Sequence, residues 1–357
     1  MTLDIEAILE KEAHRIDKAV EKYIPRAFSK NARLFKNIKP GYAYNLEALN
    51  KTIADPIWEF LDRGGKRWRP ALFLIVCEAL GKDPEDYIDF AIIPEVIHNG
   101  TLMVDDIEDA SVDRRGKPCT YRIYGEDIAI NAGNAMYYLP LLPLLEKRNL
   151  NSRVISRVLE TYTQEMIKLS MGQAMDIAWH RSLADADKIT ENDYLQMCAY
   201  KTGTLARMSA KIAGVLARAD DVVTEKLGQY AESIGIGFQI QDDVLDLTSK
   251  EFGDKKGGRG QDITEGKRSL PVIHTLRVAN AHDKERLLEI LKMHTASQKF
   301  RDEAITIIKK YGSTMYAQKK ARDMVQRSWK DVDTLLPPSE GKEKLKAFAT
   351  FLVERKI

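Results

Sequence analysis

Apolar residues recur three and four positions apart through most of this chain, the spacing that places them on one face of an α-helix. Ile5–Tyr23 shows the pattern clearly, with charged residues between its apolar positions. Period-2 alternation bounded by hairpin signals is not evident, so we predict an all-α fold without a β-sheet. The other predicted helices are Pro56–Arg63, Pro70–Leu80, Ala91–Asp109, Ser152–Ile177, Glu191–Ala217, Val222–Leu247, Pro271–Val278 and Ala304–Val332.

Three segments interrupt the helical pattern. Ser29–Asn45 mixes Lys, Asn, Pro, Gly and aromatic residues, and Lys250–Gln261 is glycine-rich and basic, as expected of a mobile loop. Thr334–Lys342 contains two prolines and precedes a last helix that we predict to end near Lys356. None of the three separates two independent apolar cores. We therefore predict a single domain over 1–357, with an N-terminal extension at 1–50 and a catalytic core at 51–333.

Composition narrows the classes of protein. The 357 residues include 55 Lys and Arg and 53 Asp and Glu, a net charge of +2 that gives no general affinity for nucleic acid. Cys77, Cys119 and Cys198 lie far apart, which fits neither a disulfide framework nor a zinc site and favours a reducing compartment. No apolar run reaches the roughly 18–20 residues of a membrane span. We expect a cytoplasmic protein.

Two acidic clusters carry the candidate chemistry. Asp105 and Asp109 stand four positions apart and share a helix face, and Asp242 and Asp246 repeat this spacing. Apolar neighbours argue against a simple solvated acidic surface. Carboxylate oxygens are hard ligands that suit Mg²⁺, above all Mg²⁺ that also binds phosphate oxygens. If the clusters face each other across a cavity, they can hold several magnesium ions around one diphosphate.

Cationic residues lie close to both clusters. Arg114 and Arg115 follow the first, Lys267 follows the second, and Lys201 stands in an otherwise apolar helix. Gly64–Pro70 combines glycines, a lysine and two arginines where an apolar helix begins, a combination suited to binding phosphate. Taken singly, each cation is more often a surface charge, and His98 can equally be a core histidine. Together they predict two diphosphate sites, one bridged by metal and one bound directly by Lys and Arg.

These motifs resemble those of the trans-isoprenyl diphosphate synthases. The similarity extends from Asp62 to Pro271, and near Asn134–Tyr138 the chain looks most similar to geranylgeranyl diphosphate synthases of archaeal or eukaryotic type. The resemblance implies about ten core helices around a central cavity, usually in a homodimer. The motifs, in the family's order, are GGKRWRP (64–70), EVIH (95–98), DDIEDASVDRRG (105–116), GQAMD (172–176), KTG (201–203), FQIQDDVLD (238–246) and EGKRSLP (265–271).

The resemblance also implies a role for each matching position. Metal ligands, for about three Mg²⁺ per active site, would be Asp105, Asp106, Asp109, Asp242, Asp243 and Asp246. The allylic diphosphate would be bound by Arg114, Lys201, Lys267 and Gln173. Isopentenyl diphosphate would be bound by Lys66, Arg69, His98 and Arg115. The reacting centre would be lined by Gln173, Asp176, Thr202, Phe238 and Gln239, and the catalytic residues would be Lys201, Thr202, Gln239, Asp105 and Asp242.

The implied reaction begins when bound cations neutralise the leaving diphosphate and the allylic C–O bond ionises. Oxygen dipoles of Thr202 and Gln239 and the backbone carbonyl of Lys201 would stabilise the carbocation. The isopentenyl double bond then attacks C1, and the departing diphosphate accepts the proton that is lost.

Product length depends on how deep the apolar tunnel beneath the first cluster is. Gly100 and Thr101, just upstream of Asp105, are small, so the floor must lie deeper, and the resemblance points to Tyr137 and Tyr138. Both tyrosines can equally be ordinary core or interface aromatics. We predict a C20 main product.

Several alternative functions differ in how well they match these motifs. A longer-chain (C25 or beyond) or farnesyl diphosphate synthase differs only in product. A terpene cyclase lacks a second full aspartate cluster and the GGKRWRP set, and non-catalytic regulatory relatives usually lose one cluster. The chain departs from the family pattern in two respects: Asn134 replaces a common Asp, and Lys255 and Lys256 are displaced relative to Asp262.

Overall fold

The computed structural model describes residues 3–38, 41–146, 150–249, 251 and 258–354, and it is 77% helical. The chain divides into two compact units, each drawn from several stretches of sequence. The first comprises Met1–Tyr162, Met208–Thr224 and Leu336–Leu345. The second comprises Thr163–Arg207, Glu225–Leu335 and Lys346–Ile357. The single domain expected over 1–357 stays a prediction.

Helices occupy most of the first half of the chain. They are α1 (Ile5–Tyr23), α2 (Leu34–Asn37), α3 (Leu46–Leu49), α4 (Asp55–Leu61), α5 (Trp68–Ala79), α6 (Ile88–Glu108), α7 (Thr120–Tyr124), α8 (Glu126–Tyr138), α9 (Leu142–Glu146) and α10 (Ser152–His180). A π-helical turn at Asn50–Ala54 joins α3 to α4, and 3₁₀ turns lie at Pro84–Asp86 and Leu139–Leu141. Two short strands, β1 (Asp113–Arg114) and β2 (Lys117–Pro118), form an antiparallel pair.

The second half is also helical. Its elements are α11 (Glu191–Cys198), α12 (Thr204–Leu216), α13 (Asp221–Thr248), α14 (Gln261–Thr264), α15 (Leu270–Val278), α16 (Ala281–Lys292), α17 (Gln298–Lys310), α18 (Ser313–Asp333) and α19 (Glu340–Glu354). A 3₁₀ turn lies at Ala186–Lys188. A π-helical turn at Ala199–Gly203 joins α11 to α12, so that they form one continuous helix.

The predicted all-α class is confirmed, with specific corrections. The prediction of one helix over Ala304–Val332 was wrong, because the chain turns at Gly312, where φ is +63°, and α17 and α18 are separate. The prediction of no sheet missed the pair of β1 with β2. The listing of predicted helices also missed α8 and α16. The segment Thr334–Lys342 is partly helical, since α19 begins at Glu340.

Each unit has its own apolar core. In the first unit α5 is buried along nearly its whole length, and α6 buries Phe90, Ile92 and Ile93. Burying an aliphatic or aromatic side chain of this size stabilises the fold by about 1.5–3 kcal/mol relative to leaving it exposed. In the second unit Leu247, at the end of α13, packs with buried residues of α14 to α17. These cores fix the helix ends from which the candidate site residues project.

One helical segment, Glu126–Glu146, is long and apolar enough to cross a membrane by length and composition alone, and 44% of it is buried within the chain. The segment contains Pro140 and Pro143. A core helix of a soluble protein passes the same test, so the segment is weak evidence for a membrane span.

Candidate active site

The first acidic cluster lies at the C-terminal end of α6, and its three aspartates have different environments. Asp105 is half-buried, Asp109 is exposed and Asp106 is fully buried. Asp106 Oδ1 accepts hydrogen bonds from Arg114 Nε at 2.8 Å and from Arg114 Nη2 at 2.5 Å. Asp106 is therefore engaged with a protein cation, whereas Asp105 and Asp109 reach solvent.

The hairpin of β1 and β2 directs the two arginines that follow this cluster. Arg115 and Gly116 form its two-residue turn, with φ of +53° and +75°, the signs required by a type I′ turn. Arg114 extends to Asp106. Arg115 donates to the carbonyl oxygen of Gly64 and, at 3.2 Å, to Asn99 Oδ1. Adjacent arginines thus have different hydrogen-bond partners.

Cations crowd together beside Arg115. Burial lowers the pKa of Arg69 to about 10, with Arg115 adding to the effect and Glu95 opposing it. Burial also lowers the pKa of Arg115 to about 10, again against Glu95. The pKa of His98 falls well below its ordinary value because of burial and then the neighbouring arginines. Such a cluster favours binding of an anion. Lys66, which is exposed and directly precedes Arg67, adds a further cation.

Arg67, which sequence reasoning did not single out, organises this cluster. It precedes α5 with φ of +47° and donates to Asp17 Oδ1 and Glu95 Oε1, both at 2.9 Å. Glu95 Oε1 also accepts from Asn99 Nδ2 at 2.7 Å, so the network extends to Arg115. The signal available in the sequence was the pair of polar residues Glu95 and Asn99, four positions apart in an otherwise apolar helix.

The second acidic cluster lies near the end of α13. Asp242 is half-buried, whereas Asp243 and Asp246 are buried. Asp246 accepts at both carboxylate oxygens from the backbone N–H groups of Gln261 and Asp262, each at 3.2 Å. Asp246 therefore caps the turn that begins α14. Lys255 and Lys256 of the basic loop lie outside the described residues.

Asp243 accepts three hydrogen bonds from side chains of the second unit. Its Oδ1 accepts from Gln239 Nε2 at 3.0 Å and from Lys267 Nζ at 3.1 Å. Its Oδ2 accepts from the hydroxyl of Tyr194 at 2.6 Å. Burial disfavours the charge of Lys267, but Asp243 and Asp262 outweigh it and hold the pKa of the ammonium well above its usual value.

Lys201 and Thr202 lie on the π-helical turn, a feature that often marks functional sites in helices. Lys201 Nζ donates to Asp176 Oδ2 at 2.5 Å, and Thr202 Oγ1 donates to Gln239 Oε1 at 3.0 Å. Burial alone would raise the pKa of Asp176, but Lys201 and then Lys267 outweigh it and lower the pKa. Thus α10, the π-helical turn and α13 bring together residues 25 and 37 positions apart.

Helix α10 approaches the π-helical turn at Gly172. A Cβ added there would lie 2.3 Å from the backbone nitrogen of Lys201, closer than any real contact. Only glycine permits this approach, because every other residue carries a Cβ. Gln173, next along α10, and Phe238, next to Gln239, are both half-buried.

Three of the four predicted chain-length residues lie close to one another. A Cβ added at Gly100 would lie 3.3 Å from Tyr137 Cε1, so α6 and α8 meet at this point. Thr101 Oγ1 donates to the carbonyl oxygen of His98 at 2.8 Å. Burial, followed by Glu108 and Asp105, raises the pKa of the half-buried Tyr137 to about 12. Tyr138 lies apart from this contact, with 68% of its surface exposed in the single chain.

The carboxylates fit a metal that is shared with a phosphate ligand. Among residues the structure describes, no group of three or more His, Cys, Asp or Glu side chains could hold a metal ion by itself. Mg²⁺ usually takes one or two carboxylates and completes its shell with water and substrate phosphates. The pair Asp105 and Asp109, and the half-buried Asp242, provide such oxygen donors.

Comparisons with known proteins agree with these features. A family model described as polyprenyl synthetase matches residues 50–308. A short chain isoprenyl diphosphate synthase from Methanothermobacter thermautotrophicus is 34% identical over 317 residues, 87% of this chain and 94% of the relative. A geranylgeranyl diphosphate synthase from Methanosarcina mazei is 34% identical over 295 residues, 83% and 87% of the two chains. The structure resembles a crystal structure of geranylgeranyl pyrophosphate synthetase from Pyrococcus horikoshii with a TM-score of 0.82 and 32% identity, covering 98% of this chain and 99% of the other.

Proposed function

Because the chain belongs to the polyprenyl synthetase family and is a prenyltransferase, we propose that it condenses isopentenyl diphosphate with allylic diphosphates, mainly to geranylgeranyl diphosphate. The observation that carries this proposal is the buried cluster of Arg69, Arg115 and His98, in which Glu95 opposes the lowered pKa of both arginines. A metal-free cationic site is what distinguishes a synthase that binds isopentenyl diphosphate from a cyclase. The second unit independently supplies Lys201 and Lys267 for a second diphosphate.

In the proposed isopentenyl site, Arg69 and Arg115 bind the diphosphate directly and Lys66 adds an exposed ammonium group. Bidentate arginine contacts are among the strongest that proteins make with phosphate oxygens. Neutral His98 can donate one ring N–H without adding charge. Burial, and then the neighbouring cations, lower the pKa of both arginines, and a bound anion would favour their charged forms.

Prenyltransferases of this family generally depend on Mg²⁺. Asp105 and Asp109 in the first unit would offer oxygen ligands to Mg²⁺, and so, taken by itself, would Asp242 in the second, because these carboxylates are not fully buried. Asp106, Asp243 and Asp246 bond to protein donors and contribute less to metal binding in this proposal. When bound, Mg²⁺ would supply positive charge that stabilises the leaving diphosphate.

The chain's own residues then stabilise the charges that develop in the reaction. Lys201 and Lys267 bind the allylic diphosphate as its C–O bond breaks. Oxygen atoms of Thr202 and Gln239 and the carbonyl of Lys201 direct partial negative charge at the allylic cation. The isopentenyl double bond forms the new C–C bond at C1, and the departing diphosphate takes the proton that is released.

For product length we propose that Tyr137 limits chain growth at the contact between α6 and α8. Gly100 has no side chain, so α6 packs closely on α8 there: an added Cβ would lie 2.7 Å from the carbonyl oxygen of Gly133 and 3.3 Å from Tyr137 Cε1. Tyr137→Ala should lengthen the products beyond C20, as read by chromatography of the dephosphorylated alcohols. Tyr138→Ala, at the exposed neighbour, is the matched control. Unchanged product length in Tyr137→Ala would reject Tyr137 as the limiting residue.

The proposed function is tested by incubating the purified chain with labelled isopentenyl diphosphate and, separately, dimethylallyl, geranyl or farnesyl diphosphate, with Mg²⁺ or with excess EDTA. We expect Mg²⁺-dependent formation of a C20 diphosphate. Products of C15 or of C25 and longer would instead identify a farnesyl or longer-chain synthase. Absence of condensation with all three primers would overturn the proposal and favour a non-catalytic regulatory subunit.

A further inference from the structure

A buried tyrosine joins the second acidic cluster and has no role in the reaction described above. Tyr194 lies in the first turn and a half of α11 and has no exposed surface. Its hydroxyl donates to Asp243 Oδ2 at 2.6 Å, across 49 positions of sequence. Burial and then the charge of Asp243 raise the pKa of this phenol well above its ordinary value. The hydroxyl therefore stays a hydrogen-bond donor.

Asp243 connects this tyrosine to two groups that act on the allylic substrate. The carboxylate is 1% exposed, and a carboxylate so deeply buried is stable only when its oxygens are hydrogen-bonded. Tyr194 occupies Oδ2, whereas Gln239 and Lys267 both donate to Oδ1. The tyrosine thus fixes the orientation that presents Oδ1 to the other two donors.

The hydrogen bond between Asp243 and Gln239 determines which way the Gln239 amide faces. An ionised carboxylate only accepts hydrogen bonds, so the amide nitrogen of Gln239 must face Asp243. Gln239 Oε1 is then left to accept from Thr202 Oγ1, at 3.0 Å. The Thr202 proton is used in this bond, and the hydroxyl lone pairs point elsewhere. Asp243 therefore sets the polarity of both oxygens proposed to face the allylic cation.

The contact between Asp243 and Lys267 positions the ammonium group of the lysine. Its Nζ lies 3.1 Å from Asp243 Oδ1 and 3.5 Å from Asp262 Oδ2. Two buried carboxylates fix a long, flexible side chain that would otherwise lose more entropy on binding diphosphate. Movement of Asp243 would therefore displace Lys267 and the Gln239–Thr202 pair together.

We propose that Tyr194 is a positioning residue for prenyl transfer, which holds Asp243 so that Asp243 orients the Gln239–Thr202 pair and Lys267. The inference rests on the proposed function, because it assigns those groups to the allylic diphosphate and cation. It also gives Asp243 a role through hydrogen bonds in place of the metal role predicted from its position in the cluster.

The first test replaces Tyr194 with Phe, which removes only the hydroxyl. A hydrogen bond to a charged group of this kind corresponds to a loss of about 10- to 100-fold. We expect kcat/KM for the allylic primer to fall by that factor, with KM for isopentenyl diphosphate and the half-saturating Mg²⁺ concentration unchanged. Tyr230→Phe is the matched control. Tyr230 is equally buried in the same unit, but its ring packs on Trp329. It lies more than three helical turns before Asp243 on α13.

The second test asks whether Tyr194 acts through Asp243. Asp243→Asn allows the amides at 239 and 243 to reorient, so the hydroxyl of Tyr194 no longer fixes a carboxylate. We expect Tyr194→Phe to cost much less activity in the Asp243→Asn background than in the wild type. Additive losses would mean that Tyr194 matters only for packing and would overturn the proposal. So would wild-type activity in Tyr194→Phe, or a raised Mg²⁺ requirement as its main defect.

A binding measurement separates failure of this inference from failure of the proposed function. Calorimetric titration with inorganic pyrophosphate and Mg²⁺ reads the position of Lys267 without turnover. We expect severalfold weaker binding by Tyr194→Phe and no change in Tyr230→Phe. If the wild type fails to condense any primer yet this difference is observed, the proposed function is rejected and the positioning role is supported. Equal pyrophosphate affinity in the wild type and Tyr194→Phe counts against the positioning role.

Discussion

At the scale of single residues, the aspartates within each cluster fall into two chemical classes that their spacing does not distinguish. Asp105 and Asp109 reach solvent, whereas Asp106 is buried against Arg114. In the second unit Asp242 is half-buried and Asp246 caps a turn. The same residue type thus either offers oxygens to a ligand or stabilises the local fold.

Replacing Asp105 or Asp106 with Ala should therefore have different effects, the first on catalysis and the second on stability. Asp105→Ala should lower kcat by at least about 100-fold, because it removes stabilisation of developing charge, with little change in the free energy of unfolding. Asp106→Ala should destabilise the chain by about 1.5–3 kcal/mol, because it removes a hydrogen-bonded charge partner of Arg114. Steady-state kinetics and urea denaturation of both variants measure these effects. Normal activity in Asp105→Ala would reject the metal assignment.

The lowered pKa of His98 predicts a pH dependence of stability. In the unfolded chain a histidine titrates near pH 6.5, and in the folded chain His98 titrates well below that. As pH falls below about 6.5 the unfolded chain therefore binds the extra proton, and stability falls by up to about 1.4 kcal/mol per pH unit. His98→Gln should remove this contribution, so the stability of the variant relative to wild type should rise between pH 7 and pH 5.

Urea denaturation at the two pH values measures this difference. His282→Gln, at a histidine whose side chain is 89% exposed, is the control and should follow the wild type. Parallel pH dependence in the wild type and His98→Gln would contradict the prediction.

At the scale of elements, the π-helical turn and its tight contact with α10 determine where Lys201 and Thr202 lie. The extra residue in the turn shifts the helix register, and Gly172 lets the backbone of α10 approach that of the turn. The helices themselves were predictable, since their apolar periodicity is local. The turn was not, because both its π geometry and the glycine contact depend on packing between segments about 30 positions apart.

Gly172→Ala should therefore displace the turn. The added Cβ would meet backbone atoms of Tyr200 and Lys201 at 2.6 Å or less, and backbone cannot move aside as a flexible side chain can. We expect a loss of about 1–3 kcal/mol in stability and about 100-fold in kcat, since small misplacements of catalytic groups are costly. Gly41→Ala is the control, because a Cβ there meets nothing within 4 Å. Wild-type kcat in Gly172→Ala would show that the position of the turn is not critical.

At the scale of the whole molecule, the resemblance implies a homodimer, and the first unit carries apolar side chains suited to one. Ile123 on α7, Ile130 on α8 and Leu159 on α10 are each at least 40% exposed in the single chain. Exposed apolar side chains of this size are typical of protein interfaces where they form a contiguous patch.

The dimer prediction is tested by multi-angle light scattering after gel filtration. We expect twice the mass of the chain for the wild type. Ile130→Asp should yield monomers, because a buried carboxylate without a partner is costly. Val222→Asp, at a side chain 60% exposed elsewhere in the same unit, should leave the dimer intact. A monomeric wild type would contradict the prediction.

The sequence by itself determined the helical class, the family and the residue types available for two diphosphates, because periodicity and motif spacing are local properties of the chain. Tertiary structure decided which aspartates face solvent, how Arg67 and Glu95 organise the cationic cluster, and how Tyr194 and Asp243 orient Gln239. The physical reason is that burial and long-range hydrogen bonds depend on segments far apart in sequence. Aspartates at equivalent positions in a motif differ in their hydrogen-bond partners once one of them is buried away from solvent.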